Sequence, residues 1–386
     1  MTDRAVLFVH PSDEAYGADR VLLQMAVGLR SRGWRIRVLL SDDLAPGWLS
    51  ARLTEESIAF ARGPLAPARR RYMRIRGLVG YFRSLRRART WIRSEASSFN
   101  ANVIHVNTSA LLVGAIIGRP DDARVIWHVH ELVVQPRIAS WVFRLAPSLT
   151  ASRVIAISRA VRDHVSPRGL GRSKVTTVWN GIEARPVVPL NEHDPPVVAF
   201  VGRINRWKGV EVFIAAIPRV AAAFPEVRFL IAGDPPAGEE WRTPALREAV
   251  ARLRLGNRVE ILGFEENVPG LLERVSILVV PSIWPEPFGL VTLEAMRAGR
   301  AVVATTHGGA LDLIESGESG LLVAPGDPGA LGDAIERLLA NPALRERLGE
   351  AAHRRAETMF SEGAFLDGVQ LVYRRSLGQV RRGDHA

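Results

Sequence analysis

Short apolar runs rich in β-branched residues recur along this chain, and each is separated from the next by more than a hairpin turn. One set occupies 5–9, 35–40, 103–106, 125–129, 154–157 and 175–178; a second occupies 197–201, 227–232, 259–262, 277–280, 301–304 and 321–323. Hydrophobicity that is continuous rather than alternating implies strands covered on both faces. Long connections leave room for crossover helices, so the pattern predicts parallel sheets. Two sets then mean two Rossmann-like, doubly wound α/β domains. The polar, proline-rich stretch 183–196 lies between them and places the boundary near residue 190.

Length agrees with this division, since 386 residues exceed one typical domain and suffice for two cores. With 47% hydrophobic and 24% charged residues the composition is that of a globular protein, which excludes wholesale disorder. No apolar run approaches the roughly 18 residues of a membrane span. The first residues carry Asp3 and then a short apolar run, without the basic start and long apolar core of a signal peptide, so a cytoplasmic enzyme is expected. Absence of cysteine removes disulfides, thiolate nucleophiles and cysteine metal sites together.

Lysine occurs only at Lys174 and Lys208. The arginine excess reads first as coding bias, but against it a retained lysine marks a place where a guanidinium cannot substitute. Charge is unevenly divided: residues 1–185 hold 29 Lys/Arg and 14 Asp/Glu, a net of +15, which leaves the remainder at −4. Much of the excess lies in 69–93, with ten arginines and no acid. Ile75, Leu78, Phe82, Leu85 and Ile92 there are expected to share one helical face. Such a segment suits a helix packed on its own domain, a polyanion-binding surface, or attachment to an anionic membrane.

Candidate chemistry concentrates after residue 198. Val201-Gly202-Arg203-Ile204-Asn205-Arg206-Trp207-Lys208-Gly209 closes an apolar run, where glycine admits a close backbone approach and the two cations can neutralise a diphosphate. Further on, Glu286 and Glu294 stand eight residues apart, the first in a Pro/Gly-rich turn and the second in a helical run. Gly263-Phe264 and His307-Gly308-Gly309 close two other runs. In the first half, Gly17-Ala18 lies in a turn after the first run, and His128 and His130 alternate to the same side of another. The H-x-H pair lacks a third clustered ligand, so no metal site is expected.

The frame Pro281-Ser282-x-x-x-Glu286-Pro287-Phe288-Gly289-x-x-x-x-Glu294-Ala295, taken with Gly202-Arg203-x-x-x-x-Lys208-Gly209, resembles the retaining glycosyltransferases of family 4, glycosyl transferases group 1. That resemblance implies the GT-B fold, with two Rossmann-like domains facing a central cleft. Residues 1–190 would bind the acceptor and 191–364 the nucleotide-sugar donor, while 365–386 would form a helix returning to the first domain. It implies transfer of a sugar from a UDP- or GDP-sugar to a hydroxyl of a glycolipid or polysaccharide precursor, with no cofactor required. Catalytic roles are implied for His130 and Glu286, and donor binding for Gly17, Arg203, Lys208, Gly263, Phe264, Phe288, Gly289, Leu290 and Glu294. A carboxylate at 294 suits a ribose diol, because its oxygens accept two hydrogen bonds and the diol donates two. The family often has Glu where this chain has Asp312, so no role is given to Asp312. No D-x-D motif is present to hold Mg²⁺ on a diphosphate, and metal-independent transfer is expected.

Other classes fit less well. An epimerase or hydrolase of the same fold would use the donor pocket without an acceptor. A dinucleotide-dependent dehydrogenase needs G-x-G-x-x-G after a strand, and neither 5–9 nor 197–201 is followed by it. No nucleic-acid motif accompanies the arginines, so nucleic acid is not an expected partner. An anionic membrane surface reached through 69–93 is, which would make the enzyme peripheral on the inner face of the plasma membrane.

Overall fold

A computed structural model of the protein describes residues 4–68, 75–133, 137–189 and 195–379. The chain forms two compact units, one of Met1–Asn180 with Phe365–Ala386 and the other of Gly181–Ala364. Residue 190, the expected boundary, lies outside the described residues. The stretch just before it runs with the second unit: Ile182 bridges to Ser361, and Arg300 donates to the Val188 carbonyl at 2.6 Å.

In the first unit the strands are β1 (Ala5–His10), β2 (Arg35–Ser41), β3 (Ala59–Gly63), β4 (Val103–Val106), β5 (Arg124–Val129), β6 (Arg153–Ala156) and β7 (Val175–Thr177). They form one parallel sheet in the order β3-β2-β1-β4-β5-β6-β7. The second unit carries β8 (Val197–Val201), β9 (Arg228–Ala232), β10 (Val259–Gly263), β11 (Ile277–Val280), β12 (Ala301–Thr305) and β13 (Leu321–Val323). These are again all parallel, in the order β10-β9-β8-β11-β12-β13. Strand order therefore reverses between β1 and β4 in one sheet and between β8 and β11 in the other. In such sheets ligands bind beyond the carboxyl ends of the strands, beside the reversal.

The apolar runs are strands because both faces are covered: β1, β4 and β11 are buried throughout. In the second unit Phe213 and Ile217, from helix Val210–Ala223, meet Phe229 and Val279 from the sheet in a single core. Strand β3 was not expected. Its sequence, AFARG, is no apolar run, because an edge strand is only partly buried and can carry Arg62. Helix Glu362–Ser376 enters the first unit at Phe365, where Val369 and Tyr373 are buried and the Tyr373 hydroxyl lies 2.7 Å from His105 Nδ1.

The arginine-rich segment is helical over Ile75–Phe99, and its residues 69–74 lie outside the described residues, as do the side chains of Ile75 and Leu78. The expected face needs correction at Phe82, which is 63% exposed. Tyr81 takes the inward place instead, four residues before Leu85, and Tyr81, Leu85, Ala88, Ile92 and Ala96 make the buried stripe. Arg89 and Arg93 donate to the carbonyls of Ile116 and Ile117 at 2.7 and 2.9 Å, and Glu95 pairs with Arg37. The apolar stripe is thus used within the unit, and the arginines around Phe82 face outward. Among the described residues no helix is long and apolar enough to cross a membrane.

Candidate functional site

Loops leaving five strands of the second unit are fastened to one another at the carboxyl edge. Gly202 N–H donates to Ala232 O and Gly233 N–H to Gly263 O, which ties the loops after β8, β9 and β10 together. A Cβ on Gly233 would lie 1.9 Å from Gly202 O, so only glycine permits this approach. Ile283 N–H donates to Trp207 O at 2.8 Å, joining the loop after β11 to that after β8. Gly309 N–H donates to Glu286 O at 2.8 Å and Thr305 Oγ1 to Ser282 O at 2.9 Å, which brings in β12.

At the meeting of these loops Lys208 Nζ lies 2.9 Å from Glu286 Oε1. Glu286 is buried and accepts a second hydrogen bond from the Ser282 hydroxyl. Burial alone would raise its pKa, but Lys208, Ser282 and the nearby His307 outweigh that and hold it below the ordinary carboxylate value. The carboxylate is therefore ionised at neutral pH and only accepts hydrogen bonds. Gly209, at φ +69° and with its Cβ position 2.1 Å from Pro281 O, places Lys208 by starting helix Val210–Ala223. Gly289, at φ +101°, likewise starts helix Leu290–Arg297, so Leu290 begins a helix three residues after Pro287. Helix N-termini of this kind present N–H groups and a partial positive charge to anions.

Lys208 and Glu286 are in direct contact, and Arg203 stands in the same loop as Lys208. Glu294 is half-buried on helix Leu290–Arg297 beyond the Glu286 turn. Phe288 is 2% exposed and its ring packs edge-on against Phe360, so its side chain belongs to the core and only its backbone could meet a ligand. Gly263 ends β10, at the sheet's edge, and Phe264 beside it is 52% exposed.

His130 and Gly17 belong to the first unit. There His130 follows β5 and Gly17 opens helix Gly17–Ser31, and the Asn107 side chain connects the two regions, 3.0 Å from His130 Nε2 and 3.5 Å from Ala18 O. The His128 and His130 rings do lie on one side, 4.1 Å apart between centroids. His128 is fully buried, and neither ring nitrogen has a hydrogen-bond partner among the described residues. Burial, reinforced by His10 and His105, pushes His130 down to about 3, so it is neutral at physiological pH. Thr108 and Ser109 bind the Glu131 carboxylate and fasten the loop after β4 to that after β5.

Three features of the two sites escaped the sequence. Ser282 stands in the same frame as Glu286, but its hydrogen bond to that carboxylate was not foreseen. Trp207 and Trp284 stack in parallel, with centroids 5.7 Å apart and planes 9° apart, although 77 positions separate them in the chain. Asn107 gave no signal, since one asparagine after a strand is an ordinary turn residue.

Among known proteins, the family described as "Glycosyl transferases group 1" matches residues 182–355, and "Glycosyltransferase Family 4" matches 15–185. Alpha-maltose-1-phosphate synthase of Mycolicibacterium smegmatis is 31% identical over 278 residues, which cover 64% of this chain and 69% of that protein. Alpha-D-kanosaminyltransferase of Streptomyces kanamyceticus is 37% identical over 183 residues, 47% of this chain and 46% of the relative, so the match spans about half that relative's length. The crystal structure of Anabaena HepE in complex with UDP-glucose superposes with a TM-score of 0.78 at 24% identity, covering 97% of this chain and all of the other, and shares its fold. The fold is GT-B, and the chain belongs to the group 1 glycosyltransferases, family 4.

The ion pair has a pH signature. With a folded pKa below its unfolded value, Glu286 adds stability that is present above about pH 4.3 and lost as pH falls through the folded pKa. In Lys208→Met burial remains while the largest lowering influence is gone, so the folded pKa rises and the buried charge is less well compensated at pH 7. Lys208 is 30% exposed, so solvent screening reduces the 3–5 kcal/mol typical of breaking a buried pair to about 2 kcal/mol. Urea midpoints should therefore separate wild type from Lys208→Met most at pH 7 and progressively less as the pH falls below about 4.3. A gap that does not shrink as the pH falls would contradict the pairing.

Proposed function

We propose that this chain transfers a sugar from a nucleotide diphosphate sugar to a hydroxyl of a glycan or glycolipid acceptor, with retention of configuration. The observation that carries this reading is the Lys208–Glu286 contact among fastened loops, which sets a cation for phosphate and an ionised carboxylate for sugar hydroxyls side by side. Arg203 and Lys208 would neutralise the departing diphosphate, helped by backbone N–H groups at Gly289 and Leu290. Glu286 would accept hydrogen bonds from the transferred sugar and Glu294 from the ribose, with Gly263 and Phe264 beside the base. For His130 and Gly17 we propose the roles their family counterparts hold, orienting the donor sugar and approaching the diphosphate. The departing phosphate would take the acceptor's proton on the face it leaves, while the protein orients the reactants and stabilises the leaving group. No metal or cofactor enters this scheme, because Arg203, Lys208 and the helix N-termini carry the charge.

HepE has been solved with UDP and UDP-glucose, which makes UDP-sugars the first donors to test and GDP-sugars the second. A thermal-shift panel of nucleotide sugars should pick out one base, since a bound ligand raises apparent stability by mass action. With that donor, Arg203→Ala and Lys208→Ala should each lower turnover about 100-fold, the loss of about 3 kcal/mol usual for one transition-state donor. Glu294→Ala should mainly weaken nucleotide binding and Glu286→Ala mainly slow transfer. Wild-type turnover in both cation variants, or free sugar or an isomerised nucleotide sugar with no glycoside formed, would overturn the assignment.

We also propose a lipid-linked acceptor at an anionic membrane. Support comes from the outward face of helix Ile75–Phe99, where Arg83, Arg86 and Arg87 lie around the exposed Phe82. Each cation near such a surface adds about 1 kcal/mol. The protein should float with anionic liposomes and stay behind with neutral ones; equal recovery with both would remove the electrostatic basis.

A further inference from the structure

A line of hydrogen bonds runs through the first unit from a carboxylate to His130. Asp19 Oδ1 lies 3.2 Å from His10 Nε2, Asn107 Nδ2 lies 3.1 Å from His10 Nδ1, and Asn107 Oδ1 lies 3.0 Å from His130 Nε2. Asp19, His10 and Asn107 are each at most 2% exposed, and His130 is 9% exposed. Three strands and a helix supply them: His10 ends β1, Asn107 follows β4, His130 follows β5, and Asp19 lies in the first turn of helix Gly17–Ser31.

The contact of the Asn107 amide with Ala18 O selects one arrangement of protons along the line. Asp19 is held by acceptor contacts, with Glu14 N–H on Oδ1 and the Ser12 hydroxyl on Oδ2, so its partner His10 Nε2 must carry a proton. The Asn107 amide N–H₂ faces His10 Nδ1 at 3.1 Å and donates to it, so the His10 lone pair lies on Nδ1. The second hydrogen of that group points to Ala18 O at 3.5 Å, which fixes the amide's orientation, since a flipped amide would set oxygen against oxygen. Asn107 Oδ1 is left facing His130 and can only accept, so His130 carries its proton on Nε2 and its lone pair on Nδ1.

We propose that Asn107 is a positioning residue through which Asp19 and His10 set the tautomer of His130, so that His130 Nδ1 accepts a hydrogen bond from a substrate hydroxyl. The inference rests on the reading of His130 as the active-site histidine, and it adds what that reading leaves open, namely the direction of the hydrogen bond and the residue that sets it. Burial keeps the ring neutral, so the line fixes which nitrogen is basic and does not deliver a charge. Neighbouring His105 and His128, with ring centroids 5.2 Å apart, are likewise neutral through burial and add no competing positive charge.

The test is ¹⁵N NMR of histidine-labelled protein together with turnover of Asn107→Leu, Asn107→Asp and His130→Ala. In the wild type His130 should appear as one tautomer, protonated at Nε2; a proton on Nδ1 instead overturns the proposal without reference to activity or to the folding of any variant. Asn107→Leu should lose the single tautomer and turn over about 10- to 100-fold more slowly, the loss usual when an outer partner of a functional histidine is removed, with donor affinity unchanged. Asn107→Asp retains the acceptor facing His130 but sets its second oxygen against Ala18 O and His10 Nδ1, so it should keep His130 protonated at Nε2 while recovering little turnover. A His130 proton on Nδ1 in Asn107→Asp would contradict the positioning role. His130→Ala separates the two layers: wild-type turnover there would refute the active-site reading of His130, while the tautomer alone would still decide the hydrogen-bond line.

Discussion

The fastened loops of the second unit close around the contact between Lys208 and Glu286, where a buried carboxylate is held ionised by an adjacent cation and its hydrogen-bond partners. That arrangement reaches into the backbone. Lys208 must stand next to a glycine that turns into a helix against Pro281, and Glu286 must sit in a turn that another glycine, Gly308, can pass. A Cβ on Gly308 would lie 2.3 Å from Glu286 O. The glycines are therefore part of the electrostatics, since each allows a loop to come close enough for charges on different strands to meet.

A parallel sheet explains why those loops are available. All six strands of the second unit run the same way, so their carboxyl ends lie along one edge and the reversal between β8 and β11 parts the flanking connections. Glu286 and Lys208 sit on the two loops at that reversal. In the first unit the equivalent reversal lies between β1 and β4, and His10 and Asn107 occupy the ends of those two strands. Each unit thus gathers its polar residues where its own strand order changes.

Much of this was legible because buried parallel strands announce themselves as continuous apolar runs, and twelve of the thirteen strands among the described residues coincide with such runs. Strand β3 did not, since an edge strand needs apolar residues on fewer sides. Within the candidate site, the charged residues were visible as motifs: Arg203, Lys208, Glu286 and Glu294 stand at fixed spacings. Packing was not visible. Phe288 lies inside the most specific motif, yet its ring fills the core, and Phe82 fits the expected periodicity while Tyr81 takes its place. Contacts between distant segments, such as Trp207 with Trp284 or Asn107 with His10, depend on strand order, which no local pattern encodes.

In the proposed transfer, Lys208 and Glu286 would act as one unit on one ligand. A double-mutant cycle in nucleotide-sugar affinity, titrating wild type, Lys208→Met, Glu286→Gln and the double variant by calorimetry, tests this most directly. Residues that share a contact and a ligand should be coupled by about 1–3 kcal/mol, so that the double variant differs from the sum of the two single changes. Additive losses, within about 0.5 kcal/mol, would mean that the two side chains serve separate purposes.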